Sequence, residues 1–463
     1  MKIYIETFGC QMNRLDSELA ASALVEAGHE LVRSRRQADV VLYNTCCVRQ
    51  HAEDKVHSRL GADRQRGQDG AGPAVIGVMG CMAQGLGREL LARHPHVNLL
   101  CGPGQLAALA DLVESASRGA QAVALDPPRL AKPPRLDPRQ VDRLDCSRRV
   151  DLSPHPAQAF VRVSQGCDKF CTYCVVPFVR GPQVSRDPAR IVEEVRRLLD
   201  SGRSQITLLG QTVNSYRWED GGSPVSFAGL LERLAALAGV RRLRFVTSHP
   251  VDLGDDLLAA MRDLPNVCRY LHIPAQSGSD AVLRRMNRHY RRAQYDDLID
   301  RARAFMPDVV LAGDFIVGFP GETDADHAAS AELIRRGGYR NSFIFKYSPR
   351  PGTAAARTLS DDVPMAVKQR RNRELLAVQA QVSLEHNRRL VGSTVELLVE
   401  GVAPRASKQP SAAPPGQTQL LGRTRGDHIV VFDAPDRLVG RYVQALIRDA
   451  TALTLFGQFV RED

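Results

Sequence analysis

The sequence predicts an α/β protein in three parts. A doubly wound parallel sheet comes first, then a partial (β/α)6 barrel, then a small OB-like β-barrel. Three observations carry this expectation. Short apolar strands alternate with helical stretches through residues 1–118, a rhythm that implies a parallel sheet wrapped by helices. The rhythm returns for about six units over 153–385, which suggests a barrel whose site lies at the strand C-termini. Over 388–462 the pattern turns to period-two alternation cut by glycine turns.

At 463 residues the chain is too long for one ordinary core, and about two to four domains are expected. Lys and Arg number 62 against 52 Asp and Glu, a formal charge of +10. Such a surplus favours a polyanionic partner, most simply nucleic acid. Ten cysteines with no secretory segment ahead of them point to reduced thiols and a cytoplasmic protein. No apolar run approaches the ~18 residues a membrane span needs, so no membrane role is expected.

The elements follow in order. Lys2 to Phe8 reads as a strand, and Ser17 to Ala27 as a helix stopped by Gly28. Asp39–Asn44, Ala74–Met79 and Val97–Leu100 read as further strands. Residues 119–152 hold Pro127, Pro128, Pro133, Pro134 and Pro138 among mixed charges and read as a linker. The TIM-like core is expected to use Ala159–Val163, Gln205–Leu209, Arg242–Val246, Tyr270–Ile273, Val309–Val317 and Ser342–Lys346 as strands. Asp361, Asp362 and Pro364 announce a long helix to about Leu390. Its Lys368, Arg370, Arg371 and Arg373 are expected to form a solvated face. Thr394–Glu400, His428–Phe432, Gly440–Ile447 and Leu453–Phe456 supply the tail strands, and Arg405–Gln419 is a Ser/Pro/Gln-rich loop without an assigned role.

Two groups of cysteines carry chemistry. Cys167, Cys171 and Cys174 stand in C-x3-C-x2-C spacing directly after the first barrel strand. Three thiolates on one loop suit a four-iron cluster and leave one iron open for a small chelating molecule such as S-adenosylmethionine. A structural zinc site wants four closed ligands, and no other Cys or His lies within ten residues of this set. The second group is spread out. Cys10, Cys46 and Cys81 each follow a strand of the first domain, and parallel strands bring their C-termini to one edge. A second cluster with an open iron is expected there. Cys47 and Cys101 also follow strands and stay open as contacts; Cys146 and Cys268 read as non-ligands.

Together these features resemble the methylthiotransferase family of radical-SAM enzymes. The resemblance rests on Thr7–Asn13, Asn44–Arg49 and Gly80–Gln84 in the first domain, and on Gly166–Gly181 around the triad. Leu208–Asn214, Leu271–Asp280 and Asp314–Glu322 continue it through the barrel, and the tail resembles the RNA-binding TRAM domain. It implies Cys10, Cys46 and Cys81 as ligands of an auxiliary [4Fe-4S] cluster and Cys167, Cys171 and Cys174 as ligands of the SAM cluster. It prefers Cys46 to Cys47, whose position is usually small and non-ligating. The implied activity adds a methylthio group to C2 of N6-isopentenyladenosine 37, beside the tRNA anticodon. Two molecules of S-adenosylmethionine would be used per turnover, one as methyl donor and one as radical source.

Other site residues are expected from their place on barrel loops. Tyr173, Gln276, Ser277, Gly278, Gly318 and Gly321 are candidates to meet S-adenosylmethionine. Arg423 and Arg425 are candidates to hold tRNA phosphates. A tRNA anticodon stem-loop, a low-potential electron donor and a sulfur or cluster supply system are the expected partners of a monomer. The alternatives are threonylcarbamoyladenosine of tRNA, ribosomal protein S12, or a non-catalytic iron–sulfur protein that binds RNA.

Overall fold

A computed structural model gives the structure of the chain and describes residues 1–48, 50–68, 72–126, 138–219, 222–404 and 416–463. The first domain is built on six parallel strands: β1 (Lys2–Phe8), β2 (Glu30–Leu31), β3 (Val40–Thr45), β4 (Val75–Gly80), β5 (Leu99–Cys101) and β6 (Ala122–Ala124). Their order across the sheet is β2-β1-β3-β4-β5-β6. Every residue of β3 and β4 is buried, because an apolar core lies on each face of the sheet.

The helix expected from Ser17 starts earlier and runs Gln11–Glu26. Its N-cap residue is a cysteine: Asn13 Oδ1 reaches back to accept the Cys10 backbone N–H and thiol, at 3.3 and 3.2 Å. Cysteine is outside the usual N-cap set, so the residue pattern does not announce this turn.

Residues 119–152 are not the plain linker that the sequence suggests. Ala122–Ala124 is the sixth strand of the sheet, and Pro138–Ser147 is a helix. Pro127, Pro128, Pro133 and Pro134 lie outside the described residues. The charges taken for a solvated linker are buried in ion pairs: Asp142 with Arg186 at 2.5 Å, Asp145 with Arg162, and Arg148 with Glu194 at 3.2 Å.

The core holds the six expected strands: β7 (Gln158–Arg162), β8 (Gln205–Leu209), β9 (Arg242–Phe245), β10 (Tyr270–His272), β11 (Val310–Val317) and β12 (Asn341–Lys346). They form two parallel three-stranded sheets, β9-β8-β7 and β10-β11-β12. A parallel bridge from Leu243 to Val267 and a 3.2 Å bond from Ser248 N–H to the His272 carbonyl join them into one arc. Among the described residues β7 and β12 do not pair, so the barrel is partial. Ala159, Val161, Ile206, Leu208, Leu243, Phe245, Leu271, Leu311 and Phe315 pack in the main apolar core beneath the helices. The other face is reached from the first domain, whose Met12, Leu15 and Leu19 pack on Leu209, Phe160 and Val246.

The long helix runs Met365–Arg388. Its expected solvated face is half right. Arg370 and Arg373 are exposed, but Lys368 and Arg371 are 1% and 4% exposed. Lys368 Nζ meets Asp361 at 2.5 Å, and Arg371 meets Glu322 at 2.8 Å. Asp361 therefore neutralises a buried lysine and does not cap the helix. Among the described residues no helix is long and apolar enough to cross a membrane.

The tail is a closed barrel of β13 (Thr394–Val402), β14 (Thr418–Thr424), β15 (Ile429–Ala434), β16 (Tyr442–Ala450) and β17 (Thr454–Glu462), in the order β13-β14-β15-β17-β16. β14 was not expected. Most of the loop assigned to 405–419 precedes it, and 405–415 lie outside the described residues. The tail covers the strand-start end of the core barrel. Arg242 is fully buried there, 2.6 Å from Glu396 and 2.8 Å from the Arg423 carbonyl. Gln158 bonds Glu400 at 3.0 Å, and Arg244 meets Asp427 at 2.5 Å.

Removing one partner of a buried ion pair typically costs about 3–5 kcal/mol, because the other charge stays in place. Arg242→Ala should therefore loosen the tail from the core. Hydrogen exchange is expected to quicken at Thr394–Leu398 and Arg423–His428, while β3 and β4 keep their protection.

Candidate active site

Sheet order places the first group of thiols. Between β1 and β3 the winding direction reverses, and such a switch point opens a crevice at the strand C-termini. Cys10 follows β1, Cys46 follows β3 and Cys81 follows β4, so these thiols converge on that crevice. Two glycines allow the approach. Gly9 and Gly80 have φ of +147° and +86°. A Cβ on Gly9 would stand 2.8 Å from Cys46 Cβ, and one on Gly80 would overlap the Asn44 side chain. Asn44 Nδ2 donates to the Asn13 carbonyl at 2.7 Å and to Ser17 Oγ at 2.9 Å, which ties β3 to the helix that starts at the crevice.

These thiols interact in pairs. The Cys10 thiol is lowered to about 6, chiefly because Cys46 donates to it, with the Arg180 guanidinium adding to the effect. The same bond raises Cys46. Cys81 is lowered by donation from Cys47, and Cys47 is raised in turn. Cys101 stands apart: its thiol meets the Gly102 carbonyl at 3.5 Å, and burial pushes it up to about 12.

β7 leads through Gly166 to the second group. Gln211 Oε1 accepts the Gly166 N–H at 2.6 Å, and the Cys174 N–H bonds the Cys171 carbonyl at 3.0 Å, which closes a tight loop. Lys169 pairs with Asp252 at 2.5 Å on its outer side. Arg288 is buried beside the loop, with Nη1 at 3.3 Å from Cys171 Sγ and Nη2 at 3.0 Å from the Pro274 carbonyl. Burial raises Cys167 and takes Cys174 up to about 12. Metal coordination removes such protons outright.

Both groups fit iron–sulfur clusters. Each is a set of thiols at strand exits with a buried guanidinium against one sulfur, which offsets the negative charge of thiolate ligands. Among the described residues no three His, Cys, Asp or Glu side chains close on a single ion. That bears on a mononuclear centre; a cubane spreads its ligands over separate irons.

Arg180 connects the two groups. It lies at the end of the loop that carries Cys167, Cys171 and Cys174. Its Nε is 3.1 Å from Cys81 Sγ, and its Nη2 is 2.5 Å from Asp16 Oδ2. One hint to it is Asp16, a carboxylate on the apolar stripe formed by Met12, Leu15 and Leu19. No pattern in the sequence marks Arg288.

The smaller candidates divide. Tyr173 is half-buried against the edge of Phe319, with ring centroids 6.4 Å apart, and its environment contains Cys171, Cys174 and Arg288. Gln276 holds a left-handed backbone, φ +66°, with its N–H on the Asp314 carbonyl at 2.7 Å. The others have their groups engaged inside the chain. Ser277 Oγ accepts the Ser279 N–H at 3.2 Å, and the Gly278 N–H donates to Ser330 Oγ at 2.9 Å. The Gly318 N–H donates to Glu322 at 2.6 Å and the Gly321 N–H to Asp362 at 2.8 Å. In these four residues the named groups serve local turns.

Arg423 and Arg425, the expected phosphate contacts, are placed against partners within the chain. Arg423 pairs with Glu400 at 3.2 Å and Asp427 at 3.1 Å, and Arg425 donates to the Pro265 carbonyl. Both belong to the seam between tail and core. Among the described residues of the tail barrel, the exposed cations are Arg437, Arg441, Arg448 and Arg461.

Comparison with known proteins adds the family. Residues 2–102 match the uncharacterized protein family UPF0004, 161–334 the radical SAM superfamily and 388–460 the TRAM domain. The tRNA-2-methylthio-N(6)-dimethylallyladenosine synthase of Rhodopirellula baltica is 46% identical, over 98% of this chain and 95% of its own length. The protein of that name from Moorella thermoacetica is 41% identical, over 98% of each chain. The chain belongs to this synthase family. It is a radical-SAM enzyme of the tRNA methylthiotransferase class, and such enzymes work with [4Fe-4S] clusters and S-adenosylmethionine. The likeness to the radical S-adenosylmethionine methyltransferase TsrM of Kitasatospora setae shows the fold, at TM-score 0.55 and 14% identity over 77% of this chain and 74% of that one.

Arg180→Ala leaves Asp16 buried without its closest cation, a loss of about 3–5 kcal/mol by the usual behaviour of buried pairs. Urea denaturation should record it. Iron bound in the first domain should fall further in this variant than in Arg190→Ala, whose side chain is exposed.

Proposed function

We propose that this enzyme places a methylthio group on C2 of N6-isopentenyladenosine at position 37 of tRNA, in a reducing cytoplasmic setting. The observation that carries the reading is Arg180, one guanidinium that touches a thiol of the first group from the loop that bears the second. The full-length likeness to synthases of that name supports the substrate.

In this reading Cys10, Cys46 and Cys81 hold the auxiliary cluster, and Cys167, Cys171 and Cys174 hold the SAM cluster. A SAM cluster held there would supply one-electron cleavage of S-adenosylmethionine, and an auxiliary cluster would supply the sulfur to be transferred. The C2–H of adenine is an unactivated bond that no side-chain acid or base can open, so the chain's residues position and protect. Arg180 and Arg288 hold positive charge against the two thiol sets. Val175 and Val179 pack on Cys81 and keep that side dry. Tyr173 and Gln276 remain the candidates for contact with S-adenosylmethionine. The exposed arginines of the tail are the candidates for tRNA phosphates. A low-potential electron donor and a sulfur source complete the reaction, and the chain acts as a monomer.

Nucleosides of tRNA from a strain lacking the gene test the substrate. Loss of 2-methylthio-isopentenyladenosine with accumulation of isopentenyladenosine is expected; persistence of the methylthio nucleoside sinks the assignment. The two clusters separate by their products. Cys174→Ala should abolish formation of 5′-deoxyadenosine, whereas Cys10→Ala should retain it and lose the methylthio product, as chromatography of the two products will show.

A further inference from the structure

Four thiols, not three, meet at the crevice of the amino-terminal sheet. Cys47 is 6% exposed and shares an apolar cluster with Cys81, Val175 and Val179. It packs against Cys81, while its neighbour Cys46 lies beside Gly9, next to Cys10. The chain leaves the β3 ladder at Thr45, so successive side chains are freed from pointing to opposite faces. Both Cys46 and Cys47 then turn toward the same chamber. A buried free cysteine is ordinarily a small apolar filler. Here the filler's sulfur partner is itself a cluster-ligand candidate, and the candidate set is one donor short of four.

We propose that Cys47 is a fourth, displaceable thiolate donor to the auxiliary cluster, occupying the iron that Cys10, Cys46 and Cys81 leave open until a sulfur ligand arrives. This rests on the cluster assignment made above. Ligation forms one iron–sulfur bond and releases the thiol proton to solvent. An incoming hydrosulfide breaks that bond and takes its place on iron with its proton kept, and the freed Cys47 thiolate takes a proton back from solvent. No electron is gained or lost in the exchange.

The test uses full-length protein in which Cys167, Cys171 and Cys174 are all replaced by alanine, so that only the auxiliary cluster can form. It is reconstituted anaerobically, with Cys47 intact, as Cys47→Ser and as Cys47→Ala. Iron and sulfide are counted, and cyanide, a small ligand for an open iron, is titrated while the reduced cluster is followed by electron paramagnetic resonance. About four irons per chain are expected in all three proteins. Cyanide should change the spectrum of both Cys47 variants at a concentration at least about tenfold lower, since it no longer displaces a thiolate. Equal cyanide dependence at equal iron content overturns the proposal. So does loss of iron from both variants, because a displaceable ligand is not needed to retain the cluster. Absence of iron from the protein with Cys47 intact overturns the cluster assignment itself, and this inference with it.

Discussion

Arg180 shares one guanidinium between the carboxylate of Asp16 and the thiol of Cys81. Neither contact would be stable alone at that depth. A buried cation without a partner is far costlier than any single hydrogen bond, and a buried carboxylate is no better. The geometry that satisfies both fixes three things at once: the amino-terminal helix, the exit of β4, and the end of the loop after β7. Two cysteine groups that are distant in sequence become neighbours through this one planar, five-donor side chain. Lysine could not replace it, since one ammonium does not present two directed donors at that spacing.

Around it lies a wider set of buried ions. Arg148, Arg162, Arg180 and Arg186 meet Asp16, Glu18, Asp142, Asp145 and Glu194. Apolar packing of the same volume would serve stability at least as well. What charges add is direction. The amino-terminal domain, the helix Pro138–Ser147 and the barrel each contribute part of the set, so only one relative placement pairs them all. Clusters that must face a common substrate need that kind of fixed placement more than they need extra stability.

The parts of this fold that were legible in the sequence are those set by local pattern. Alternating apolar residues gave all six core strands, and cysteines after a glycine or threonine at strand exits, with the C-x3-C-x2-C spacing, marked the two thiol groups. What stayed hidden depends on partners far along the chain. Asp142, Asp145, Lys368 and Arg371 look like solvated charges in a linear reading, because burial of a charge is decided by where its counter-ion folds. The partners of Arg423 and Arg425, which are Asp427, Glu400 and a loop carbonyl, are hidden for the same reason. Gly318 and Gly321 look like cofactor contacts, and their N–H groups are taken by Glu322 and Asp362.

The partial barrel has a consequence for the size of the substrate. A closed eight-stranded barrel is a packed core with access only at its ends. Here the tail barrel seals the strand-start end through Arg242, Arg244 and Gln158, and the amino-terminal domain fills part of the interior with Met12, Leu15 and Leu19. The strand-exit end keeps the thiol groups, some 26 Å from the tail by the length of the eight-residue β11 at about 3.3 Å per residue. A nucleic acid that touches the exposed arginines of the tail and also presents a base to the thiols must run along the outside of the barrel over that distance. Small molecules do not span it. On the proposed function the architecture would divide labour by length: a remote surface would hold the polymer, and the charge-pinned strand-exit end would receive one base.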